Sequence, residues 1–345
     1  MALPRIASTL VASILLLGAS AASGQHQIVC SGEAAGGYAA FPDICRLSNG
    51  DLLCVFYSGY GHVSTPTTKW PRGGRIMAVR STDNGQSWSK PVVVIDTEQD
   101  DRDPSVSCLK DGVLLLNWFT LTQNQVAIML ARSTDQGKTW SEPANLDLDS
   151  HYSLACSSPV RQLPDGSLIL GLYHQDSTKN VAFGATVKSY DGGKTWKESA
   201  LIGEKSGIFM DAETDVVPLK DGNLLAALRS SKVKMHYALS KDGGKTWGPA
   251  RSFGFKGHCP FFFRHSSNVI LLAHRVPDTS LHWSNDEGKT WQGPVRIDSV
   301  GGAYPSMVEL LNGEVYCVYY EEGKGSSIRG VRLQVDTKSV QVVTK

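Results

Sequence analysis

The sequence has little excess charge of either sign: 34 Lys and Arg stand against 33 Asp and Glu in 345 residues, a net charge of +1. Balanced charge provides no broad basic surface for nucleic acid, and no block of like charge forms a charged tail. Long apolar runs are missing after residue 24, which argues against a later membrane span. The 8 Trp, 11 Tyr and 10 Phe supply enough apolar surface to exclude a disordered chain.

Clustered cysteines are also missing. The seven cysteines include no Cys-x-x-Cys pair and no group spaced for zinc. The chain has neither a Gly-rich phosphate loop nor a His-Glu-x-x-His motif. We therefore predict no metal site and no cofactor. Several cysteines lie in apolar, strand-like runs, where a free thiol behaves as a small hydrophobic group, and we favour that interpretation over disulfides.

The N-terminal 24 residues differ from the rest. Arg5 provides a short positive region, residues 6–17 are apolar, and residues 18–24 are small, as in a cleavable export signal. The alternative is a membrane anchor, but the apolar run is short for a bilayer span. The pattern predicts a signal peptide over residues 1–24, a single mature domain over 25–345, and a secreted or periplasmic location.

An eight-residue pattern, Ser-x-Asp-x-Gly-x-Thr/Ser-Trp, occurs five times. The copies begin at Ser81, Ser133, Ser189, Ser240 and Ser284, separated by 52, 56, 51 and 44 residues. The Asp carboxylate can accept hydrogen bonds from nearby backbone N–H groups, the Gly supplies a positive φ, and the Trp leaves the turn as an apolar anchor. Each copy is therefore predicted to be a tight turn of one repeated unit.

A second repeat alternates with the first. Six segments read as strand, Asp-Gly or similar turn, strand, and they lie at residues 41–56, 103–118, 158–170, 213–225, 258–272 and 304–318. Each of the first five is followed by another strand, the Trp-containing turn and a fourth strand. The spacing predicts an all-β, six-bladed β-propeller of four-stranded antiparallel blades. Residues 26–30 are expected to join the last blade and close the ring.

This arrangement also predicts where a site lies. The first residue of each inner strand and the last residue of the next strand reach the same rim, so both face one central cavity. The rim positions are rich in carboxylate, imidazole, guanidinium and phenol groups. The candidates are Asp43, His62, Arg102, Asp103, Glu213, Arg229, His258, Arg275, Tyr304 and Glu321.

The five Trp-containing turns resemble the Asp boxes of the sialidase (neuraminidase) superfamily, whose fold is a six-bladed propeller. The resemblance covers nearly the whole mature chain and implies that these turns lie away from the active site. It implies an exo-α-sialidase type of glycoside hydrolase. Family members use a Tyr nucleophile assisted by a Glu, three Arg residues that clamp the substrate carboxylate, and an Asp acid/base.

The resemblance extends to particular residues. Tyr304, within Gly301-Gly-Ala-Tyr-Pro-Ser-Met-Val-Glu-Leu310, resembles the nucleophile segment. Glu213 matches the position of the Tyr-assisting Glu, and Arg229 matches one clamp Arg. Arg275 is near a second clamp position, although its distance from the next turn differs by about two residues.

Two positions depart from the family pattern. Ala40 stands where the first clamp Arg belongs, and residues 59–66 contain no carboxylate for the acid/base. Either Arg102 and Arg72 substitute for the missing cation, with Asp103, Asp43 or Asp101 as the acid, or the substrate is another sugar. His62, His258 and Glu321 are expected to contact the substrate, a glycan or glycoconjugate, and the protein is expected to be a monomer. Two alternatives remain open: a propeller that binds glycan without cleaving it, and a hydrolase or lyase for another acidic sugar such as a uronate.

Overall fold

The structure is a computed structural model that describes residues 26–121, 125–148, 150, 152–211, 213–323 and 325–343. The predicted signal peptide lies outside the described residues. Strands and turns account for the regular structure of the described chain, which contains no helix capable of crossing a membrane.

The described strands form six sheets, and each sheet is one blade of the propeller. Blade 1 is β2 (Tyr38–Arg46), β3 (Leu52–Gly59), β4 (Arg75–Ser81) and β5 (Val92–Ile95), and blade 2 is β6 (Asp100–Cys108), β7 (Leu114–Leu121), β8 (Val126–Ser133) and β9 (Ala144–Asn145). Blade 3 is β10 (Arg161–Gln162), β11 (Leu168–Asp176), β12 (Val181–Ser189) and β13 (Lys197–Ile202), and blade 4 is β14 (Thr214–Pro218), β15 (Leu224–Leu228), β16 (His236–Ser240) and β17 (Arg251–Ser252). Blade 5 is β18 (His258–Arg264), β19 (Ile270–Arg275), β20 (Thr279–Ser284) and β21 (Gln292–Asp298), and blade 6 is β22 (Gly302–Glu309), β23 (Val315–Glu321) and β24 (Ile328–Val335), with β1 (Gln27–Cys30) and β25 (Val340–Val342).

All blade pairings are antiparallel, which confirms the predicted all-β, six-bladed propeller of four-stranded blades. The ring closes as expected, because β1 at the start of the described chain pairs with β24, Gln27 opposite Gly330. The C-terminal β25 pairs with another part of the same strand, Leu333 opposite Val342. Both ends of the described chain are therefore held by blade 6.

The repeated Trp-containing turns have the predicted hydrogen bonds. In the first, the Ser81 hydroxyl donates to Asp83 Oδ1 (2.7 Å), the N–H of Gly85 donates to Ser81 Oγ (2.9 Å), and the N–H of Ser87 donates to Asp83 Oδ1 (2.9 Å). Gly85 has a φ of 81°. These hydrogen bonds hold the pKa of Asp83 below its ordinary value. Equivalent hydrogen bonds surround Asp135, Asp191, Asp242 and Asp286.

The Trp at the end of each turn packs beside the neighbouring blade. Trp140 of blade 2 packs against a cluster that contains Leu53 of blade 1 and Leu114 of its own blade. Trp88 of blade 1 lies with its ring centre 5.8 Å from that of Tyr316 in blade 6. The core thus consists of apolar clusters between neighbouring blades, and all seven cysteines are free thiols, of which only Cys108 is partly exposed.

Four inner strands share one irregularity that the sequence pattern did not predict. The residue before a proline has a positive φ at Phe41 (51°), Asp103 (49°), Cys259 (53°) and Tyr304 (46°). The strand register shifts at each of these points. Such bulges redirect a side chain out of the regular alternation. Asp103 and Tyr304 therefore occupy equivalent positions in blades 2 and 6, and Phe41 occupies that position in blade 1.

Asp43 follows the bulge of blade 1 and connects three blades. Its Oδ1 accepts a hydrogen bond from the N–H of Ile44 (2.9 Å) and from the Ser306 hydroxyl of blade 6, and its Oδ2 accepts one from the N–H of Val106 in blade 2 (2.8 Å). Burial raises the pKa of Asp43 to about 6 although these hydrogen bonds oppose the rise. Both carboxylate oxygens are occupied, which gives Asp43 a role in holding blades together.

Close packing between blades 3 and 4 predicts a sensitive position. A Cβ added at Gly171 of β11 would lie 2.0 Å from the backbone oxygen of Thr214. Because backbone cannot move aside easily, Gly171→Ala should lower the free energy of unfolding, measured by urea denaturation, by at least about 1–3 kcal/mol. Gly61→Ala is the matched control, since its added Cβ meets nothing within 4 Å. Equal stability of the two variants would contradict the packing described.

Candidate active site at the centre of the ring

Tyr304, Glu213 and Arg229 are in direct contact at the centre of the ring. The Tyr304 hydroxyl of β22 donates to Glu213 Oε1, the two oxygens being 2.6 Å apart. Nη1 of Arg229, which follows β15, donates to the same oxygen at 2.6 Å. The second guanidinium nitrogen, Nη2, lies 4.0 Å from Asp211 Oδ2. The structure thus brings together three predicted site residues from blades 4 and 6.

The charges in this group determine where the proton lies. Burial acts to raise the pKa of Glu213, but Arg229, the Tyr304 hydroxyl and Arg275 together lower it below its ordinary value. Burial, followed by the neighbouring Cys259 and Glu213, raises the pKa of the Tyr304 phenol well above its ordinary value. The resting pair is therefore a neutral phenol that donates to an ionised carboxylate. This arrangement allows Glu213 to accept the phenol proton.

Two further arginines border the group and have no hydrogen-bond acceptor among the residues that the structure describes. The guanidinium carbon of Arg275 lies 5.5 Å from the centre of the Tyr304 ring. That of Arg102 lies 5.6 Å from the Phe41 ring centre and 5.5 Å from the Phe119 ring centre. Neither guanidinium makes a hydrogen bond to the described part of the chain, and the carboxylate oxygen beside Arg102 is 3.9 Å away, in Asp103. Arg72, the alternative cation, instead contacts Asp96 (3.6 Å) and Thr97 in an exposed loop.

Asp103 has one free carboxylate oxygen. The Ser157 hydroxyl donates to Oδ2 (2.7 Å), whereas Oδ1 has no hydrogen bond within the described ranges. Burial raises the pKa of Asp103 to about 6, against the opposing effect of Arg102 and Ser157. Of the two carboxyl groups expected first as acid, Asp103 therefore has an unoccupied oxygen at the site and Asp43 has none. Asp101 is also occupied, by the N–H and hydroxyl of Thr97 and by the Trp118 indole.

Of the remaining predicted residues, His258 lies at the site and Glu321 does not. His258 lies opposite Arg275 in the sheet ladder, and burial together with Arg229 and Arg275 lowers its pKa to about 4. Glu321 points elsewhere: its carboxylate contacts Arg329 (2.6 Å) and Ser327 (3.2 Å) of the outer part of blade 6. The next residue along the strand end, Glu322, faces the rim instead, because successive side chains of a strand alternate.

Glu322, which was not among the chosen site residues, forms a rim cluster with the chosen residue His62. It accepts hydrogen bonds from the hydroxyls of Tyr38 and Tyr320, and it lies 3.6 Å from His62. Phe41 was also missed, although it precedes a proline as Tyr304 does, and this shared pattern was a signal for its position. Phe41 packs with its ring centre 4.9 Å from that of Tyr304.

Unpaired buried atoms mark the site as a place for a ligand. Buried polar groups normally find partners, so each exception within a cleft indicates a missing one. Five such atoms belong to residues of this site, within the described chain: Arg102 Nε, Asp103 Oδ1, Glu213 Oε2, Arg229 Nε and Arg275 Nε. A cavity on the ring axis, lined by Pro42, Pro104, Pro159, Pro260 and Pro305, has a volume of only about 20 Å³. That volume holds about one water molecule, so a larger ligand must bind on the open side.

Residues 75–317 match the family model described as a BNR repeat-like domain, and the chain belongs to that family. A sialidase of Micromonospora viridifaciens is 26% identical in an alignment of 332 residues that covers 82% of this chain and 50% of the relative. A sialidase of Clostridium perfringens is 25% identical over 282 residues, covering 69% of this chain and 67% of the relative. The chain thus spans about half the length of the Micromonospora protein.

The solved intramolecular trans-sialidase of Ruminococcus gnavus, in complex with oseltamivir carboxylate, superimposes with a TM-score of 0.72. The superposition covers 92% of this chain and 98% of that chain at 14% identity. At this low sequence identity, the similarity supports the propeller fold but assigns no role to any residue of this chain.

The buried charge pair predicts a pH-dependent stability. Glu213 is 3% exposed, so Arg229→Met leaves an unpaired buried carboxylate and should cost about 3–5 kcal/mol at pH 7. In the wild type the folded pKa of Glu213 is below its unfolded value of 4.5, so the stabilisation is present above that pH and is lost in acid. In the variant, burial raises this pKa, so the ionised form becomes costly as pH rises through 4.5. Urea denaturation should show that Arg229→Met lowers the free energy of unfolding, relative to the wild type, by more at pH 7 than at pH 4.

Arg264→Met is the control for this prediction. Arg264 pairs with Glu287, whose side chain is 23% exposed and remains accessible to water, so its loss should cost about 0–1 kcal/mol. A loss in Arg229→Met that is the same at both pH values would show that Glu213 is not its cause.

Proposed function

We propose that this protein is a retaining glycoside hydrolase of the exo-α-sialidase type that releases a terminal acidic sugar. The observation that carries the proposal is the 2.6 Å hydrogen bond from the Tyr304 hydroxyl to Glu213, which also pairs with Arg229, with Arg275 beside the Tyr304 ring. The sialidases among the relatives of this chain support the same class of reaction.

The proposed reaction begins with attack of the Tyr304 oxygen on the anomeric carbon while Glu213 accepts the phenol proton. The bond to the leaving oxygen breaks, and that oxygen receives a proton from an acid. Water then attacks the tyrosyl-linked sugar and gives a proton to the conjugate base of that acid, while Glu213 returns its proton to the departing Tyr304 oxygen. A tyrosine nucleophile is a known departure from the usual pair of carboxylates. A neutral phenol suits a substrate whose anomeric carbon bears a carboxylate, because it avoids repulsion between two anions.

The acidic character of the proposed substrate rests on Arg102, Arg229 and Arg275. Arg229 uses one nitrogen for Glu213, while Arg102 and Arg275 retain guanidinium groups without acceptors among the described residues. A planar guanidinium binds both oxygens of a carboxylate, and a buried one gains most from doing so. Arg102 of blade 2 stands one residue before Asp103-Pro104, as Ala40 does before Phe41-Pro42 in blade 1. We propose that Arg102 supplies the cation that blade 1 lacks.

A second function, glycan binding without cleavage, is favoured by one observation. This observation is the departure from the sialidase pattern, which expects a cation where Ala40 stands and an acid in the loop of residues 59–66, a loop that has no carboxyl group. A hydrolase or lyase for a uronate fits the same cations. We also propose export, on the basis of the signal-like residues 1–24, which processing analysis of the expressed protein tests directly.

The nucleophile proposal predicts the effect of Tyr304→Phe. The variant keeps the ring contacts and loses only the attacking oxygen, so kcat for an aryl sialoside should fall by at least about 10³-fold. Tyr237→Phe is the matched control, because Tyr237 lies in blade 4 and packs against Phe253 outside the site. Fluorescence assays of both variants and the wild type measure the difference.

Unchanged turnover in Tyr304→Phe would exclude Tyr304 as the nucleophile. A glycan array with product analysis tests the second function. If the wild type binds an aryl sialoside or a sialylated glycan and leaves it intact, the result favours a glycan-binding protein. Turnover of an aryl uronide instead would reassign the substrate to another acidic sugar.

The clamp proposal predicts that Arg102→Met and Arg275→Met each lower kcat/KM for a carboxylated aryl glycoside. Loss of one charged hydrogen-bonding partner is worth about 1.5–3 kcal/mol, which corresponds to roughly 10–100-fold. Arg251→Met, at an exposed position of β17, should change kcat/KM less than twofold. Equal kcat/KM for wild type and Arg102→Met would assign carboxylate binding to other residues.

A further inference from the structure

The rim of blade 1 carries a histidine held beside a carboxylate. His62 lies in the loop after β3, and its Nδ1 is 3.6 Å from Glu322 Oε2 and 3.5 Å from the Tyr38 hydroxyl. The Glu322 carboxylate is fixed in turn by hydrogen bonds from Tyr38 (3.0 and 3.2 Å) and Tyr320 (3.0 Å). The other ring nitrogen, Nε2, makes no hydrogen bond to the described part of the chain. The carboxylate beside Nδ1 favours a proton on that nitrogen by its charge, which leaves Nε2 for proton exchange with a substrate.

The histidine borders the same cleft as Tyr304. The Phe41 ring is in edge contact with the His62 ring, with centres 5.1 Å apart, and with the Tyr304 ring, with centres 4.9 Å apart. The two rings therefore flank one aromatic side chain at the open side of the site. The side chain of His62 is 52% exposed and that of Glu322 is 40% exposed, so a leaving group that extends into solvent can reach them.

We propose that His62, oriented by Glu322, is the acid/base of the hydrolase, in a loop that has no carboxyl group. The proposal rests on the function proposed above. His62 is the acid/base residue because it exchanges a proton with the substrate, and Glu322 is a positioning residue because it acts through His62.

The proton transfers balance over the two steps. In the first, the Tyr304 oxygen bonds to the anomeric carbon, its proton passes to Glu213, and the departing oxygen takes the proton from His62 Nε2 as its bond breaks. In the second, the tyrosyl bond breaks as the water oxygen bonds to the anomeric carbon. Nε2 takes a proton from that water, and Glu213 returns its proton to the departing phenol oxygen.

Asp103 is the competing acid, and its position disfavours it. It is 4% exposed, whereas the leaving group of an exo-acting hydrolase extends away from the enclosed sugar. Ser157 occupies its Oδ2, and its open Oδ1 lies beside Arg102, at the bulge equivalent to that of Tyr304. This places Asp103 at the same depth in its blade as the nucleophile, below the rim that carries His62.

Four groups that face His62 control its protonation. Burial and the positive charge of Arg102 lower its pKa, Glu322 raises it, and Arg275 lowers it further, while the neutral Tyr38 hydroxyl contacts Nδ1. A substrate carboxylate bound between Arg102 and Arg275 offsets their positive charges. Substrate binding should therefore raise the pKa of His62, so that the acid becomes protonated on the bound enzyme.

The test compares leaving groups, using a series of aryl sialosides whose phenols differ in pKa, together with sialyllactose. Removal of a general acid harms poor leaving groups far more than good ones. In His62→Gln, kcat/KM should fall about 10²–10⁴-fold for sialyllactose and less than about tenfold for the most acidic phenol. Azide should rescue the variant and yield a sialyl azide of retained configuration. His62 is exposed, so its replacement removes little packing, and the activity on the most acidic phenol itself reports a folded site.

Two further variants separate orientation from simple packing. Glu322→Gln removes the charge that raises the pKa of His62, so the alkaline limb of the kcat/KM profile should move to lower pH than in the wild type. In the wild type, bound substrate raises the pKa of His62, so the alkaline limb should lie at higher pH in the kcat profile than in the kcat/KM profile. Tyr60→Phe is the control in the same loop. The Tyr60 hydroxyl donates to the carbonyl oxygen of Thr65, so its removal should leave the pH profile unchanged.

The outcomes distinguish the two proposals. Equal losses for all leaving groups in His62→Gln, or a leaving-group-dependent loss with azide rescue in Asp103→Asn instead, would overturn the role of His62 while the hydrolase stands. A wild type that hydrolyses none of the acidic glycosides would overturn both.

Discussion

The site depends on closure of the ring by β1, which pairs with β24 and completes blade 6. Glu213 and Tyr304 are 91 residues apart in the chain and belong to blades 4 and 6, so no local structure holds their oxygens 2.6 Å from each other. Only a ring in which every blade packs on two neighbours sets that distance. The inter-blade hydrogen bonds of Asp43 serve the same end, because they tie blade 1 to both blade 2 and blade 6.

Burial of charge gives the cleft its chemical character. A carboxylate as buried as Glu213 is stable only with a cation and hydrogen-bond donors, and Arg229 and Tyr304 provide both. The same pairing keeps the phenol beside an ionised base. Arg102 and Arg275 make no hydrogen bond within the described residues, and the carboxylate oxygen beside Arg102 is 3.9 Å away, so both guanidinium groups keep hydrogen-bonding capacity for a ligand. This capacity is the physical link between the geometry and the proposed acidic sugar.

Much of this was predictable, and the exceptions have a common cause. The hairpin repeats predicted that Glu213, Arg229 and Tyr304 face one cavity, and the structure places them in contact. The same reasoning selected Asp43 and Glu321, whose carboxylates face other partners. The pattern identified the right strand ends, but a bulge or a shift of one residue changes the face to which a side chain points. The roles of all these residues in catalysis stay predictions.

The amino-acid sequence by itself determined the architecture, because five turns and six hairpins recur at intervals that suit four short strands, and each turn's hydrogen bonds are local. Tertiary structure alone decided which rim residues meet. Contacts between blades set the bulges before Pro42, Pro104, Pro260 and Pro305 and the pairing of His62 with Glu322. They also leave Arg102 without a hydrogen-bond acceptor among the described residues. A short stretch of sequence cannot predict such contacts, because each one joins residues of different blades and forms only when the whole ring closes.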